Sequence, residues 1–222
     1  MKKLIVSLAV LFALSSCTDN TKKTDTTSVK DAKTTTATTP ETTVKDGTYS
    51  TIKTNKIAWG ASHLGGVSPR FGFVKAGKVS FTVADNALKA AEVAMDLGSL
   101  TVTSFPEGDD RNDLTKHLKS ADFFNVAKYP NATFELTKAT KIDGDYNTEL
   151  TGNLTILDKT NSVTFKANVM ISPEAIKLQS EKFAIDRKKW GLTYHTEGTV
   201  GVPKDYLIAD DVTFQIDLEV TK

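Results

Sequence analysis

The chain has 222 residues and a formal net charge of +1, and this length suits one ordinary domain with an additional tail. Because the charge is near neutral, it gives no electrostatic footprint for nucleic acid, and we expect no nucleic-acid partner. Cys17 is the only cysteine, which excludes an intrachain disulfide. His63, His117 and His195 are too dispersed to suggest a metal site.

The N-terminus predicts an export signal. Lys2 and Lys3 precede an apolar run, Leu4–Leu14, that is too short to span a bilayer comfortably. Small residues then lead to Cys17, a pattern that resembles a bacterial lipobox. We therefore expect residues 1–16 to be a lipoprotein signal peptide, with cleavage before Cys17 and lipidation of that residue, which would anchor the protein to a membrane. The alternative is an ordinary signal peptide with an incidental cysteine.

Residues 17–46 are predicted to be the lipidated cysteine and a threonine-rich disordered linker. The segment has almost no large apolar side chains, so it cannot bury enough surface to offset its chain entropy. Such a linker would act as a tether that holds the following domain off the membrane. Thr18, rather than aspartate, follows Cys17. This favours the outer membrane, with the protein facing the periplasm.

From Tyr49 onward the chain alternates apolar and polar residues with a period of two, which indicates antiparallel strands with one buried face. The clearest run is Val212–Val220, and Lys89–Leu97 is similar. Only Asp110–Ser120 has a convincing helical pattern. Periodicity alone leaves a barrel and a sandwich open. Small inward residues such as Gly152 are compatible with a cavity, although packed cores contain them as well.

Leu118–Phe134, LKSADFFNVAKYPNATF, is an apolar cap between this helix and a strand. Phe123 and Phe124 are adjacent, so they cannot share one strand face, and the following Tyr129-Pro130 pair stops regular structure. The simplest interpretation is a plug over one end of a core.

The cap sequence closely resembles the signature of the YceI-like family. Three further segments agree with that family: GKVSF at Gly77–Phe81, LTGNLTILDKTNSV at Leu150–Val163, and FAIDRKKWGL at Phe183–Leu192. The resemblance implies an all-β, lipocalin-like antiparallel barrel of about eight strands with one short helix, over residues 47–222. It also implies a non-catalytic function, the binding of a long-chain isoprenoid lipid such as an isoprenoid quinone, and it is compatible with a homodimer.

Aromatic side chains are the candidates for an apolar ligand tunnel, with plain core packing as the alternative for each: Phe81, Phe123, Phe124, Phe134, Phe165, Phe183 and Phe214. By resemblance, Arg187 would orient the polar head of the ligand; the alternative is a structural ion pair with a carboxylate on a facing strand. Trp190 stands where the family has phenylalanine and would alter the shape of the cavity. His63 is a candidate head-group donor, or else a turn histidine.

Motifs for catalysis are not apparent: no serine lies in a Gly-x-Ser-x-Gly turn, and no phosphate loop or metal-ligand spacing occurs. We therefore expect no catalytic residues, no metal, and no cofactor other than a bound isoprenoid lipid or quinone. Three alternatives remain. They are a ligand-free structural or adhesion module, a binder of fatty acids or amides, and a lipid hydrolase or isomerase using a polar cluster around His63 and Arg187.

Overall fold

The computed structural model describes residues 46–222. The predicted signal peptide, Cys17 and nearly all of the predicted linker lie outside these residues. Within them the chain forms ten strands and one helix: β1 Gly47–Tyr49, β2 Thr51–Ala61, β3 Arg70–Ala84, β4 Ala87–Val102, α1 Asp109–Lys119, β5 Asn131–Lys141, β6 Thr148–Ile156, β7 Lys159–Ile171, β8 Ala175–Ser180, β9 Phe183–Asp186 and β10 Asp211–Thr221. Short 3₁₀ turns lie between β9 and β10, at Arg187–Trp190 and Lys204–Tyr206.

Eight of these strands close into an antiparallel barrel. The ring runs β3-β2-β10-β8-β7-β6-β5-β4, and β4 pairs back with β3. The two remaining strands extend it: β1 pairs with β3, and β9 pairs with β10. The prediction of a barrel with one short helix is confirmed, and the sandwich alternative is excluded because the sheet has one continuous ring of pairings.

Alternation along each strand explains which side chains face the interior. In β10, Leu218 and Val220 are buried, while Phe214 and Ile216 pack partly buried against the same core. In β7, Phe165 and Ala167 are buried in that core. These are the inward rows that the period of two predicts, because successive side chains of a strand point to opposite faces of a sheet.

The ladder between β2 and β3 is interrupted, and a side chain bridges the gap. Pairing covers Ile57–Ala61 of β2, and it resumes only where β1 meets the far end of β3. Between these two stretches Asn55 imitates a backbone partner. Its Nδ2 donates to the carbonyl of Ala76 at 2.7 Å, and its Oδ1 accepts from the amide of Ala76 at 2.6 Å. We call this interruption the seam.

The two ends of the barrel differ. At one end, here the closed end, lie the short connections β3–β4 and β7–β8, and Tyr49 Oη donates to the carbonyl of Pro173 at 3.5 Å. The interior there is filled by buried side chains, namely Tyr49, Val83, Leu88, Ile176 and Val220. At the other end, here the loop end, lie the long connections β2–β3, β4–β5 with α1, and β9–β10.

The barrel is self-contained. Every strand of the ring and the whole of its main apolar cluster lie within one compact unit, Pro40–Lys222. This segment therefore contains all the pairings that close the sheet. Among residues 46–222, none of the helices has the length and apolar character that crossing a bilayer requires.

Candidate functional site

An apolar lumen occupies the barrel between the filled closed end and the loop end. The volume of this cavity is about 130 Å³. Among residues 46–222, Arg187 is the only charged residue that lines it. All the phenylalanines predicted to line a tunnel do line this space, namely Phe81, Phe123, Phe124, Phe134, Phe165, Phe183 and Phe214. Such a wall suits an apolar ligand, because it offers almost no hydrogen-bond partners to a polar one.

The lumen is a blind tunnel. Phe81 and Leu218 line its deep part, beyond which the closed end is packed. From Leu218 the wall continues along β10 to Val212 near the loop end, a distance of about 20 Å at the usual rise of a strand. Leu118 of α1 and Phe124 from the β4–β5 connection cover the opening. The predicted plug is therefore confirmed as a cap, but it covers a cavity rather than a filled core.

Four phenyl rings form a continuous group on the wall, which we call the phenyl belt. Phe134 and Phe165 have ring centroids 5.7 Å apart, Phe165 and Phe183 stack at 4.5 Å with an 8° interplanar angle, and Phe183 and Phe214 lie 6.0 Å apart. These residues belong to β5, β7, β9 and β10. The belt thus presents aromatic surface around one side of the lumen, with ring separations typical of favourable aromatic pairs.

Gly152 on β6 makes room for one ring of the belt. A Cβ atom at this position would lie 2.5 Å from Cε2 of Phe134 and 2.5 Å from the carbonyl oxygen of Glu135. The Phe134 ring therefore rests directly on the glycine backbone and against the wall. A side chain at Gly152 would displace that ring toward the lumen, so the glycine keeps this part of the lumen open.

Trp59 on β2 is a lining residue that the sequence-based prediction missed. Its indole Nε1 donates to the carbonyl of Thr101 at 3.3 Å, which fixes the ring in the wall. The signal was present in the sequence: Ile57, Trp59 and Ala61 alternate with a period of two, and all three line the lumen.

Arg187 lies in the roof of the lumen with only 2% of its surface exposed. Its guanidinium donates to backbone carbonyls of the β9–β10 connection: Nε to Ala209 and Nη2 to Ile208 at 3.0 Å, and Nη1 to Leu192 at 2.5 Å and to Tyr194 at 3.0 Å. These bonds use four of the five N–H groups of the side chain. Arg187 thus holds the connection folded over the lumen.

The alternative for Arg187, a structural ion pair with a carboxylate on a facing strand, is wrong. Among residues 46–222, Arg187 makes no ion pair; the nearby carboxylate of Asp210 is paired with Lys188, with Oδ2 and Nζ 2.5 Å apart. Burial lowers the pKa of Arg187, and the negative charges of Asp210 and Asp186 oppose that shift. Backbone carbonyls, rather than a facing carboxylate, satisfy the buried guanidinium.

Trp190 and His63 do not line the lumen. Trp190 is buried in the core, and its indole Nε1 donates to the carbonyl of Leu154 at 2.9 Å. It lies on the 3₁₀ turn after β9 rather than on a strand, so it does not take the place in the ligand site that the family resemblance implies. His63 is a half-buried residue of the β2–β3 connection that forms a backbone bridge with Ile208, which agrees with the turn alternative.

An aromatic cluster joins the cap to the β9–β10 connection above the lumen. The rings of His117, Phe123 and Tyr194 contact one another, with centroids 4.9 to 5.1 Å apart. His117 Nε2 also lies 3.0 Å from Oδ2 of Asp122. Phe123 lines the lumen on its other side, so the cluster and the roof are continuous. Within residues 46–222, the acidic, cysteine and histidine side chains form no group that could hold a metal ion.

Known proteins show the same architecture. BcnA of Burkholderia cenocepacia aligns with a TM-score of 0.57 and 20% identity over 75% of this chain and 96% of its own. A domain from Saccharophagus degradans, described as a polyisoprenoid binding domain implicated in plant cell wall breakdown, aligns with a TM-score of 0.54 and 15% identity over 80% of this chain and 99% of its own. At these identities the likeness concerns the fold.

Sequence relatives extend the comparison. Protein YceI of Escherichia coli O6:H1 is 40% identical over 77 residues, 35% of this chain and 39% of its own. A UPF0312 protein of Pseudomonas putida strain W619 is 36% identical over 111 residues, 50% of this chain and 54% of its own. The aligned parts thus span about two fifths to just over half of these relatives. The YceI-like domain model matches residues 21–220 of this chain, nearly its whole length, and on this match the chain belongs to the YceI-like family.

Proposed function

We propose that the barrel binds and sequesters a long-chain isoprenoid or a related amphiphilic lipid, such as an isoprenoid quinone, without catalysis. The observation that carries this proposal is the blind lumen, whose lining is apolar apart from Arg187. Burial of an apolar chain in such a space is favourable by about 25 cal/mol for each Å² removed from water. Membership in a family of binding-type barrels supports the proposal, as does the structural neighbour described as a polyisoprenoid binding domain.

The length of the lumen suggests how much chain it holds. Strands of a barrel tilt by about 35–45° from its axis, so the wall of about 20 Å along β10 from Leu218 to Val212 corresponds to about 15 Å along the lumen. Each bond of an extended chain advances about 1.2 Å, judged from the span of an extended polypeptide, so this length accommodates about 12 bonds, or about three isoprene units of four main-chain bonds each. A much longer chain would have to emerge through the roof.

The polar head of the ligand would lie at the loop end, close to Arg187. The chain end must enter first, because the deep part of the lumen is apolar and closed. Arg187 has one N–H group that is not used by the four carbonyl bonds, and it is the only charged residue of the lining. This group would donate to a carbonyl, hydroxyl or phosphate oxygen of the head group, in addition to holding the connection.

We also propose that the protein is a lipoprotein of the bacterial cell envelope, anchored through Cys17 to the outer membrane and facing the periplasm. The lipobox-like sequence supports this location. A barrel that sequesters a membrane lipid would then stay close to the source of its ligand.

Native mass spectrometry of the purified protein tests the binding proposal. We expect a discrete adduct, and solvent extraction should release a compound with an isoprenoid mass. Release of a fatty acid or an amide would retain the binding site but change the ligand class. A bare protein that also fails to take up an added short-tailed ubiquinone would contradict the proposal and favour a ligand-free structural module.

A further inference from the structure

Large apolar side chains are exposed mainly at one end of the barrel. In the described part of the chain, five of them are strongly exposed, and four belong to the loop end: Val67 at 55%, Phe71 at 48%, Val200 at 97% and Tyr206 at 62%. The fifth, Met170 at 46%, lies near the β7–β8 turn at the closed end. Single exposed apolar residues are ordinary, but four of these five share one end of the barrel.

Hydrogen bonds unite the segments that carry these residues. The amide of Leu64 donates to the carbonyl of Leu207 at 2.8 Å, and the amide of Ala209 donates to the carbonyl of Ser62 at 3.0 Å. The amide of His63 donates to the carbonyl of Val67 at 2.9 Å. The β2–β3 and β9–β10 connections are therefore one connected platform. We define the loop-end tips as Val67, Val200 and Tyr206, which project from it.

The platform is continuous with the roof of the lumen. The β9–β10 connection that carries Val200 and Tyr206 also contributes Leu192 and Ile208 to the lining. The same connection supplies the carbonyls that bind Arg187. A body that contacts the loop-end tips therefore lies against the same connection that lines the site.

We propose that the loop end docks on a lipid bilayer, with the loop-end tips inserted at the boundary between headgroups and acyl chains. This inference rests on the proposed function, because a bilayer is the reservoir of the proposed ligand. Separate projecting side chains suit insertion into a fluid phase. Tyrosine is enriched at membrane–water interfaces, where its ring is buried and its hydroxyl is hydrated. The ligand chain would then pass between bilayer and lumen with little exposure to water.

Charge is not the driving force of this docking. Arg70 and Lys204 lie beside the tips, but the exposed carboxylates of Glu197 and Asp205 offset them. Binding should therefore depend on apolar insertion, and it should persist at high salt, where exposed charges are screened.

Flotation with vesicles of phosphatidylethanolamine and phosphatidylglycerol tests the docking by itself. The segment Pro40–Lys222 is used because it contains the whole barrel and lacks the predicted anchor. We expect it to float with the vesicles at low and high salt. A V67S/V200S/Y206S variant should lose about tenfold or more of that binding, because it removes the apolar surface that would be buried. The matched control, Met170→Ser at the closed end, should float like the unsubstituted barrel. Circular dichroism melting should show that both variants are folded.

Ligand transfer separates this inference from the proposed function. Trp59 lies in the lumen wall, so a short-tailed ubiquinone entering the lumen should quench its fluorescence. The triple variant should take up the quinone from dilute detergent normally but slowly from vesicles. Absence of uptake from either source by the unsubstituted barrel would contradict the proposed function, whereas equal flotation of the triple variant and the unsubstituted barrel would overturn the docking. Failure of the unsubstituted barrel to float would also overturn it, and a dimer abolished by the same substitutions would then assign the surface to a second copy.

Discussion

Replacement of Gly152 by alanine should close part of the lumen. The new Cβ would lie 2.5 Å from Cε2 of Phe134, so the ring must leave the wall and turn into the space that the ligand occupies. A phenylalanine side chain covers about 150–250 Å². If the displaced ring prevents the ligand from burying on the order of 100 Å² of apolar surface, binding should weaken by about 2.5 kcal/mol. This corresponds to an increase of about 60-fold in Kd.

The assay is a quinone titration followed by quenching of Trp59, with the unsubstituted protein beside Gly152→Ala. Alanine also meets the carbonyl of Glu135 at 2.5 Å, which costs stability independently of the ring, by about 1–3 kcal/mol for an overpacked site. The double variant Gly152→Ala/Phe134→Leu keeps this backbone conflict but replaces the ring with a smaller side chain. It should therefore regain most of the affinity without regaining stability.

Unchanged affinity of folded Gly152→Ala protein for the quinone would contradict this prediction. An equal loss of affinity in the single and double variants would also contradict it, because the loss would then come from the backbone rather than from Phe134. A crystal structure of Gly152→Ala should show the Phe134 ring in the lumen.

Three further predictions concern the roof, the seam and the anchor. Arg187→Met should lower the free energy of unfolding by about 4 kcal/mol or more, because it leaves four carbonyls without their donor and each costs at least about 1 kcal/mol when buried. Denaturant unfolding measures this loss. Asn55→Ala should cost about 1–3 kcal/mol and should accelerate hydrogen exchange at the amide of Ala76, which loses its acceptor. Cys17→Ala combined with V67S/V200S/Y206S, which removes the proposed docking surface as well, should shift the protein from the membrane pellet to the soluble fraction, as followed by immunoblot.

Each of these predictions has an outcome that contradicts it. An Arg187→Met variant as stable as the unsubstituted protein would show that the carbonyls find other donors. Unchanged exchange at Ala76 in Asn55→Ala would mean that the seam is held without the side chain. If the protein with Cys17→Ala and V67S/V200S/Y206S stays in the pellet while V67S/V200S/Y206S alone abolishes flotation, lipidation of Cys17 is not the anchor.

Sequence periodicity predicted the strands well because the lumen imposes one simple rule on them. A barrel strand must place apolar residues inward at every second position, whether the interior is packed or hollow. Phe165 and Phe214 were therefore placed correctly on the inner face. The same rule explains why an apolar row alone could not reveal the cavity. The hollow depends on how side chains lie, such as Phe134 against Gly152, rather than on which side chains are apolar.

The loop end was predicted less well, since its geometry depends on long-range contacts. The family resemblance implies a place for Trp190 in the ligand site, but β9 ends at Asp186 and the tryptophan falls on a 3₁₀ turn. Arg187 was expected to meet either a ligand or a carboxylate. Its actual partners are backbone carbonyls of the β9–β10 connection, and no side-chain pattern encodes the direction of a carbonyl in a loop.

The pairing of β2 with β10 has a consequence for folding. This pairing joins residues far apart in sequence, such as Gly60 and Thr213, which are separated by 153 positions. Contacts of such high sequence separation are slow to form, because the entropy of closing a long loop must be overcome first. The ring cannot close until the C-terminal strand has been synthesised, so the lumen is absent from every shorter nascent chain. We therefore expect ligand loading to follow synthesis of β10, and the unclosed barrel to be the state most exposed to aggregation and proteolysis.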